Sequence, residues 1–318
     1  MKTLVTILAT LIAYVCSWTP GVPDPDYVSC INYSFGHVNE TFDGVRIDNP
    51  AKLYSIVALK KVKPELKVVL SIGGWGSGRF SEMVSDPALR SKFAQDCLRV
   101  VEEYGLDGID IDWEYPTSDA AEISCAPTDT RNYTLLMRDI RKAIGKDRIL
   151  SHATVASCRY IDYKAVDKYV DYTNVMTYDM GDEHTHNSPL FQSKYVHSLS
   201  ADECMQLYVK AGVPREKLVM GLAFYGKGRR DFRGKWDKTS LRAPAGYTQL
   251  RDTLARVPYV VDENGEFVFG YEDTRSLREK AQYIKAQGFL GGMYWCYEGD
   301  LPAGDMRRTV WTELEKNQ

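Results

Sequence analysis

Nine residues, Asp107-Gly108-Ile109-Asp110-Ile111-Asp112-Trp113-Glu114-Tyr115, carry a carboxyl at every second position from 110 to 114, with Ile111 and Trp113 between them. On an extended strand, residues two apart share a face and sit ~6–7 Å apart along the backbone. Asp110, Asp112 and Glu114 then form a ladder on one face, while the other face is apolar, so the ladder is expected to point into the protein. Carboxyls this close cannot all ionise cheaply. Repulsion and desolvation raise at least one pKa and leave a shared proton in the set. A carboxylic acid that stays protonated near neutral pH is what protonation of a leaving group needs. Glu114, last on the strand and with the longest arm, reaches furthest. A divalent-cation cluster and a buried structural network are the competing readings, but no loop ligands for a cation accompany the ladder.

Such a ladder needs a scaffold that buries its flanks and leaves its end open. Short β-rich apolar runs at 11–18, 29–36, 67–73, 109–114, 149–156, 172–178, 218–224 and 290–296 alternate with amphipathic helical stretches at 50–62, 87–104, 132–144, 201–211 and 276–287. In the second of these, Phe93, Cys97, Val100, Val101 and Tyr104 recur at three- and four-residue intervals, one face of a helix, before Gly105 supplies a stop. Eight strands with helices between them predict an α/β fold of the (β/α)8 TIM-barrel type, and near-continuous apolar strands fit a sheet covered on both sides. A doubly wound open sheet is the alternative, but no Gly-x-Gly-x-x-Gly follows the first strand. About 64 residues separate Gly226 from Leu290. Within them, 259–269 reads as a hairpin around Asn264-Gly265. A small α+β insertion, 227–288, is therefore expected between strands seven and eight, forming one wall of a cleft.

The length fits one large domain or two ordinary ones, and a barrel spanning 11–318 would take it up as a single unit. The 318 residues carry a formal charge of −3 and are 44% hydrophobic and 12% aromatic. This slightly acidic balance argues against a nucleic-acid partner. Seven cysteines lack any Cys-x-x-Cys pair, so neither a disulfide framework nor a zinc site can be read from spacing. His184 and His186 form a His-x-His without an acidic or thiol partner at ligand spacing; neither metal nor cofactor is expected. The apolar run from Leu4 to Cys16 resembles a short signal peptide, yet its second half reads as a strand. Residues 1–10 are the only stretch left for a targeting segment, which makes a secreted, periplasmic or cell-surface location the expectation. The run is too short for a membrane span.

The carboxylate ladder resembles the signature of glycoside hydrolase family 18, the chitinase family, Asp-x-x-Asp-x-Asp-x-Glu on the fourth barrel strand, matched by Asp107, Asp110, Asp112 and Glu114. Ser71-Ile72-Gly73-Gly74-Trp75 is similar to the family's third-strand motif, and Met176-Thr177-Tyr178-Asp179 to its sixth. Gly292-Met293-Tyr294-Trp295 resembles the end of its eighth strand, and Ile31-Asn32-Tyr33-Ser34-Phe35 its second. Gly221-Leu222-Ala223-Phe224-Tyr225-Gly226 resembles the seventh, with Ala223 where the family usually has Pro.

The resemblance implies a retaining hydrolase of β-1,4-linked N-acetylglucosamine oligomers, endo- or exo-acting, with chitin or chitooligosaccharides as substrate. Glu114 is then the general acid and later the base. The nucleophile is the substrate's own acetamido oxygen, outside the two-carboxylate scheme. Asp112 orients the acetamide, Asp110 shares a proton with it, and Tyr178 donates to the acetamido oxygen. Trp295 floors the sugar subsite, and Asp179, Trp75, Tyr225 and Tyr33 are further candidate substrate contacts. The competing functions are an endo-β-N-acetylglucosaminidase acting on N-glycans and a non-catalytic chitin-binding lectin. The second would be expected to lack the acid that Glu114 supplies.

Overall fold

The structure, a computed structural model, describes residues 10–316. The expected targeting segment thus falls, through residue 9, outside the described residues, and Thr10 already belongs to the first strand.

Eight parallel strands close into a barrel: β1 (Thr10–Cys16), β2 (Cys30–Val38), β3 (Lys67–Gly73), β4 (Gly108–Asp112), β5 (Ile149–Val155), β6 (Tyr172–Met176), β7 (Leu218–Ala223) and β8 (Gly291–Trp295). Each pairs with the next in sequence, and β1 pairs with both β2 and β8, which removes the sheet's edges. A short strand, Val45–Ile47, folds back antiparallel on β2.

Alternation along the strands builds two cores. Ile109 and Ile111 of β4 face outward into the layer packed by the helices, together with Tyr33, Leu70 and Ile72. Inside the barrel a second cluster holds Ile12, Tyr14, Cys30, Val69, Ala153, Tyr172 and Met293. The helix Pro87–Tyr104 shows how local sequence sets an element's limits. Asp86 accepts Ala88 N–H at 2.7 Å, proline opens the first turn, and Gly105 closes it at φ 68°. Asp107 pins the start of β4, accepting Val68 N–H at 2.9 Å and pairing with Lys60 at 2.7 Å. It lies at the end of the strand remote from Glu114, so its part in the signature is to anchor the strand.

Between β7 and β8 stands a four-stranded antiparallel sheet formed by Lys227–Gly228, Thr248–Asp252, Val257–Val261 and Phe267–Gly270. Its own core comprises Phe232, Val260, Val268, Phe269 and Tyr271. The Asn264-Gly265 turn joins the expected hairpin arms, Gly265 at φ 78°. The helix Thr274–Gln287, however, packs Leu277, Ala281 and Ile284 into the barrel's outer core. The range 227–288 read from the sequence therefore runs one helix too far: that helix covers the barrel. Among the described residues, no helix is long and apolar enough to cross a membrane.

Candidate active site

The site is built around the interior face of β4. Asp110 is fully buried and collects four donors from four other strands: Ser151 Oγ at 2.6 Å, Ser71 Oγ at 2.8 Å, the Tyr14 hydroxyl at 2.9 Å and Asn174 Nδ2 at 3.2 Å. Register makes this ring, because Ser71 and Ser151 stand directly beside Asp110 on β3 and β5. Burial raises the Asp110 pKa, while the four hydrogen bonds pull it down by favouring the anion.

Two residues on, Asp112 ends the strand with one carboxyl oxygen, Oδ1, buried in the wall of the cleft and without a partner among the described residues. Burial holds its pKa well above the carboxylate range, and the charges of Glu114 and Asp110 add to the effect. Glu114 lies just beyond the strand, which stops at Asp112 rather than at residue 114. Its pKa is pushed up to about 7, chiefly by burial; a hydrogen bond from Tyr115 pulls it down and Asp179 pushes it up. A proton thus stays within this trio at neutral pH.

The close approach of β3 to β4 depends on two glycines. A Cβ on Gly73, at φ 131°, would lie 1.9 Å from the Asp112 carbonyl oxygen, and one on Gly74, at φ 93°, 2.7 Å from the Phe35 ring. The Gly-Gly of the third-strand motif therefore keeps space for the backbone of Asp112 and for Phe35. After Glu114 the chain is held by buried Asp129, which accepts Ala126 N–H at 2.7 Å, Ser81 Oγ at 2.9 Å and Thr117 N–H at 3.2 Å. The peptide bonds Ser34–Phe35, Glu114–Tyr115 and Trp295–Cys296 are cis.

Above the carboxyls opens a cleft of about 620 Å³ lined by Asp112, Glu114, Tyr178, Asp179, Trp75 and Trp295 among others. Trp295 stacks on Phe35 (centroids 5.8 Å apart, planes at 19°) and leans on Trp18 at 6.3 Å. The flat aromatic floor and the acids face the same space. Tyr178 is buried, and among the described residues its hydroxyl has only the Met293 thioether, at 3.7 Å, as a weak acceptor. Asp179 sits at the rim with φ 55° and its side chain 56% exposed, paired to Lys227 at 3.1 Å where the inserted lobe begins. Trp75 is 63% exposed and stands over Tyr115 edge-on.

One expected contact is corrected. Tyr33 is wholly buried on the outer face of β2, its hydroxyl donating to the Asp48 and Asn49 carbonyls at 2.7 and 2.9 Å, and it does not reach the cleft. Phe35 does instead. The register slips between Ser34 and Gly36, so Phe35 falls in a bulge and swings to the opposite side from Tyr33. Tyr225 packs edge-on against Tyr178 at 6.2 Å and lines a neighbouring cavity against the lobe; burial raises its hydroxyl pKa, and Asp179 of the cleft is close enough to raise it further. His184 is exposed and His186 buried against Asp252, so the His-x-His does not converge. Sequence reading also missed Trp18 and the ring around Asp110. The signal for the ring was available: Ser71, Ser151 and Asn174 are polar residues inside otherwise apolar strands.

The sequence profile described as "Glycosyl hydrolases family 18" matches residues 10–300. The chain belongs to this family. Among its relatives in the family, Chitinase A1 of Niallia circulans is 31% identical over 312 residues, covering 82% of this chain and 45% of its own. Chitotriosidase-1 of Mus musculus is 28% identical over 347 residues, covering 92% of this chain and 73% of its own. The chain thus spans less than half the length of the Niallia protein. A solved family 18 N-acetylglucosaminidase from Paenibacillus barengoltzii superposes with a TM-score of 0.86 at 31% identity, covering 96% of this chain and 99% of its own.

Proposed function

We propose that the protein is a retaining chitinase, cleaving β-1,4-linked N-acetylglucosamine oligomers with the substrate's acetamido group as nucleophile. The observation that carries this reading is the Oδ1 of Asp112, a buried acceptor with no donor among the described residues, set in the cleft wall close to the proton-holding Glu114. A buried acceptor left unpaired costs free energy unless a ligand supplies the missing N–H. An acetamide N–H fits it.

In this reading a sugar rests on Trp295 with its glycosidic oxygen at Glu114. Glu114 protonates that oxygen as the bond breaks. The acetamido carbonyl oxygen attacks the anomeric carbon from within the sugar, giving an oxazolinium ion, and Glu114, now a carboxylate, draws a proton from the water that opens it. Asp112 turns the acetamide into line and offers negative charge to the developing cation, while Asp110 takes up the proton that Asp112 gives up. The Tyr178 hydroxyl, otherwise left with a thioether, donates to the acetamido oxygen. Attack within one molecule gains mostly from orientation, which supplies up to about 7–11 kcal/mol of the barrier. Preorganised carboxylates stabilise the charge with little reorganisation.

Incubation with defined chitooligosaccharides and, separately, with a high-mannose glycoprotein tests the substrate. Release of short N-acetylglucosamine oligomers from the first and nothing from the second is the expected result. Glycan release without cleavage of the oligomers would overturn the assignment. The product lengths also report whether internal or terminal bonds are cut.

A further inference from the structure

Closure of the barrel brings together two thiols that are far apart in sequence. Cys16 ends β1, and Cys296 directly follows β8, its neighbour across the seam. Their sulfurs and a carboxyl oxygen of Glu298 all lie within 4.8 Å of one another. Glu298 is held in place, accepting the Thr19 hydroxyl at 2.6 Å and Cys16 N–H at 3.2 Å. We propose that Cys16, Cys296 and Glu298 form a binding site for a thiophilic divalent cation of the zinc and cadmium class.

Four features support the assignment. Two soft sulfurs with one carboxylate are a donor set that zinc-like ions take up and that magnesium or calcium do not. Charge balances as well: the ionised set carries three negative charges, of which Lys52, 3.8 Å from Glu298, offsets one, and a divalent cation offsets the other two. Lys52 itself is occupied by the Cys16 carbonyl at 2.6 Å, the Thr19 carbonyl at 2.8 Å and the Thr19 hydroxyl at 2.9 Å, so it does not contend for the sulfurs. Finally, there is a way in. A cavity of about 400 Å³ between the lobe and the barrel has Cys296 and Glu298 in its wall, together with Tyr225 and Trp236. Three protein ligands leave a fourth position for water or a small anion from that cavity.

Binding replaces the two S–H bonds by two metal–sulfur bonds and releases two protons, with no change in oxidation state. Without a cation, ionisation of Cys16 is opposed by its hydrogen bond with Cys296, by burial and by the charge of Glu298. Ligand spacing along the chain could not disclose such a site, because residues 16 and 296 meet only through the barrel seam. The bound ion would tie the segment leading to Trp18 to the residue after Trp295, behind the aromatic floor of the cleft. The proposal does not depend on the glycosidase reading.

The test is a cadmium chloride titration of the reduced, metal-stripped full chain, followed by thiolate-to-cadmium charge-transfer absorption and by proton release in weak buffer. One cadmium per chain and two protons are expected, with zinc competing. Cys16→Ser and Cys296→Ser should each abolish the saturating step, whereas Cys125→Ser, which removes the exposed thiol, should leave it intact. Zinc should also raise the unfolding temperature of the wild type and of neither seam variant, and metal-free melting of each variant shows that it has folded. If Cys16→Ser does not fold, Cys296→Ser alone decides. A band that persists undiminished in a folded seam variant, or that vanishes with Cys125→Ser, would overturn the site.

Discussion

Tyr14 and Asp110 stand 96 residues apart in sequence and meet at 2.9 Å inside the barrel, hydroxyl to carboxylate. Asn174 touches both, 3.3 Å from the tyrosine oxygen and 3.2 Å from the carboxylate. This contact links β1, β4 and β6 through one buried charge. A hydrogen bond to a buried charged group contributes about 1.5–3 kcal/mol. Tyr14→Phe should therefore lower stability by that amount and also slow turnover, since Asp110 loses a donor that shapes its exchange of charge with Asp112. Urea unfolding at neutral pH measures the first effect. An unchanged midpoint would mean that the hydroxyl does not support the anion.

The pH dependence follows from Glu114. Its folded pKa lies near 7, above its ordinary 4.5. As the acid it must be protonated, so kcat should fall as pH rises through about 7. Stability has the same sign: the folded state holds the proton more tightly than the unfolded chain, so wild-type stability declines between pH 4.5 and about 7. Glu114→Gln removes that cost. It should match the wild type at low pH and exceed it by roughly 1–3 kcal/mol above neutrality, the part of the gain lost to solvent screening included. Melting temperatures of the two proteins at pH 4 and pH 8 decide the point; parallel curves would contradict the raised pKa.

Turnover should separate the acids by role. Glu114→Gln is expected to lose about 10²–10⁴-fold or more in kcat while still binding oligosaccharide, because the amide keeps the shape of the side chain and lacks the proton. Asp112→Asn should also lose orders of magnitude, with binding little changed. Steady-state kinetics and calorimetric titration with the same oligomer provide the readouts. Near-normal hydrolysis by the glutamine variant would remove Glu114 from the mechanism.

The barrel strands were legible because each is a short apolar run with its own punctuation, and the ladder because alternation places 110 and 112 on one face of the strand, with Glu114 just past its end. Other features depended on more than period. Phe35 reaches the cleft through a bulge that inverts its parity, so counting from Tyr33 puts the wrong aromatic in the site. The boundary of the lobe was misplaced because the helix Thr274–Gln287 has the same amphipathic pattern whether it covers a lobe or a barrel. Trp18, 64% exposed at the end of β1, has no local sequence signal at all; its place beside Trp295 exists only because the barrel closes.

A matched pair of chitooligosaccharides, alike except that the sugar donating the scissile bond carries either its acetamido group or a free amine, decides whether the nucleophile belongs to the substrate. Hydrolysis of the acetylated member is expected, with no detectable hydrolysis of the amine, which has no internal nucleophile to offer. Comparable rates for the two would show that an external nucleophile serves instead, and the roles given to Asp112 and Tyr178 would fall with it.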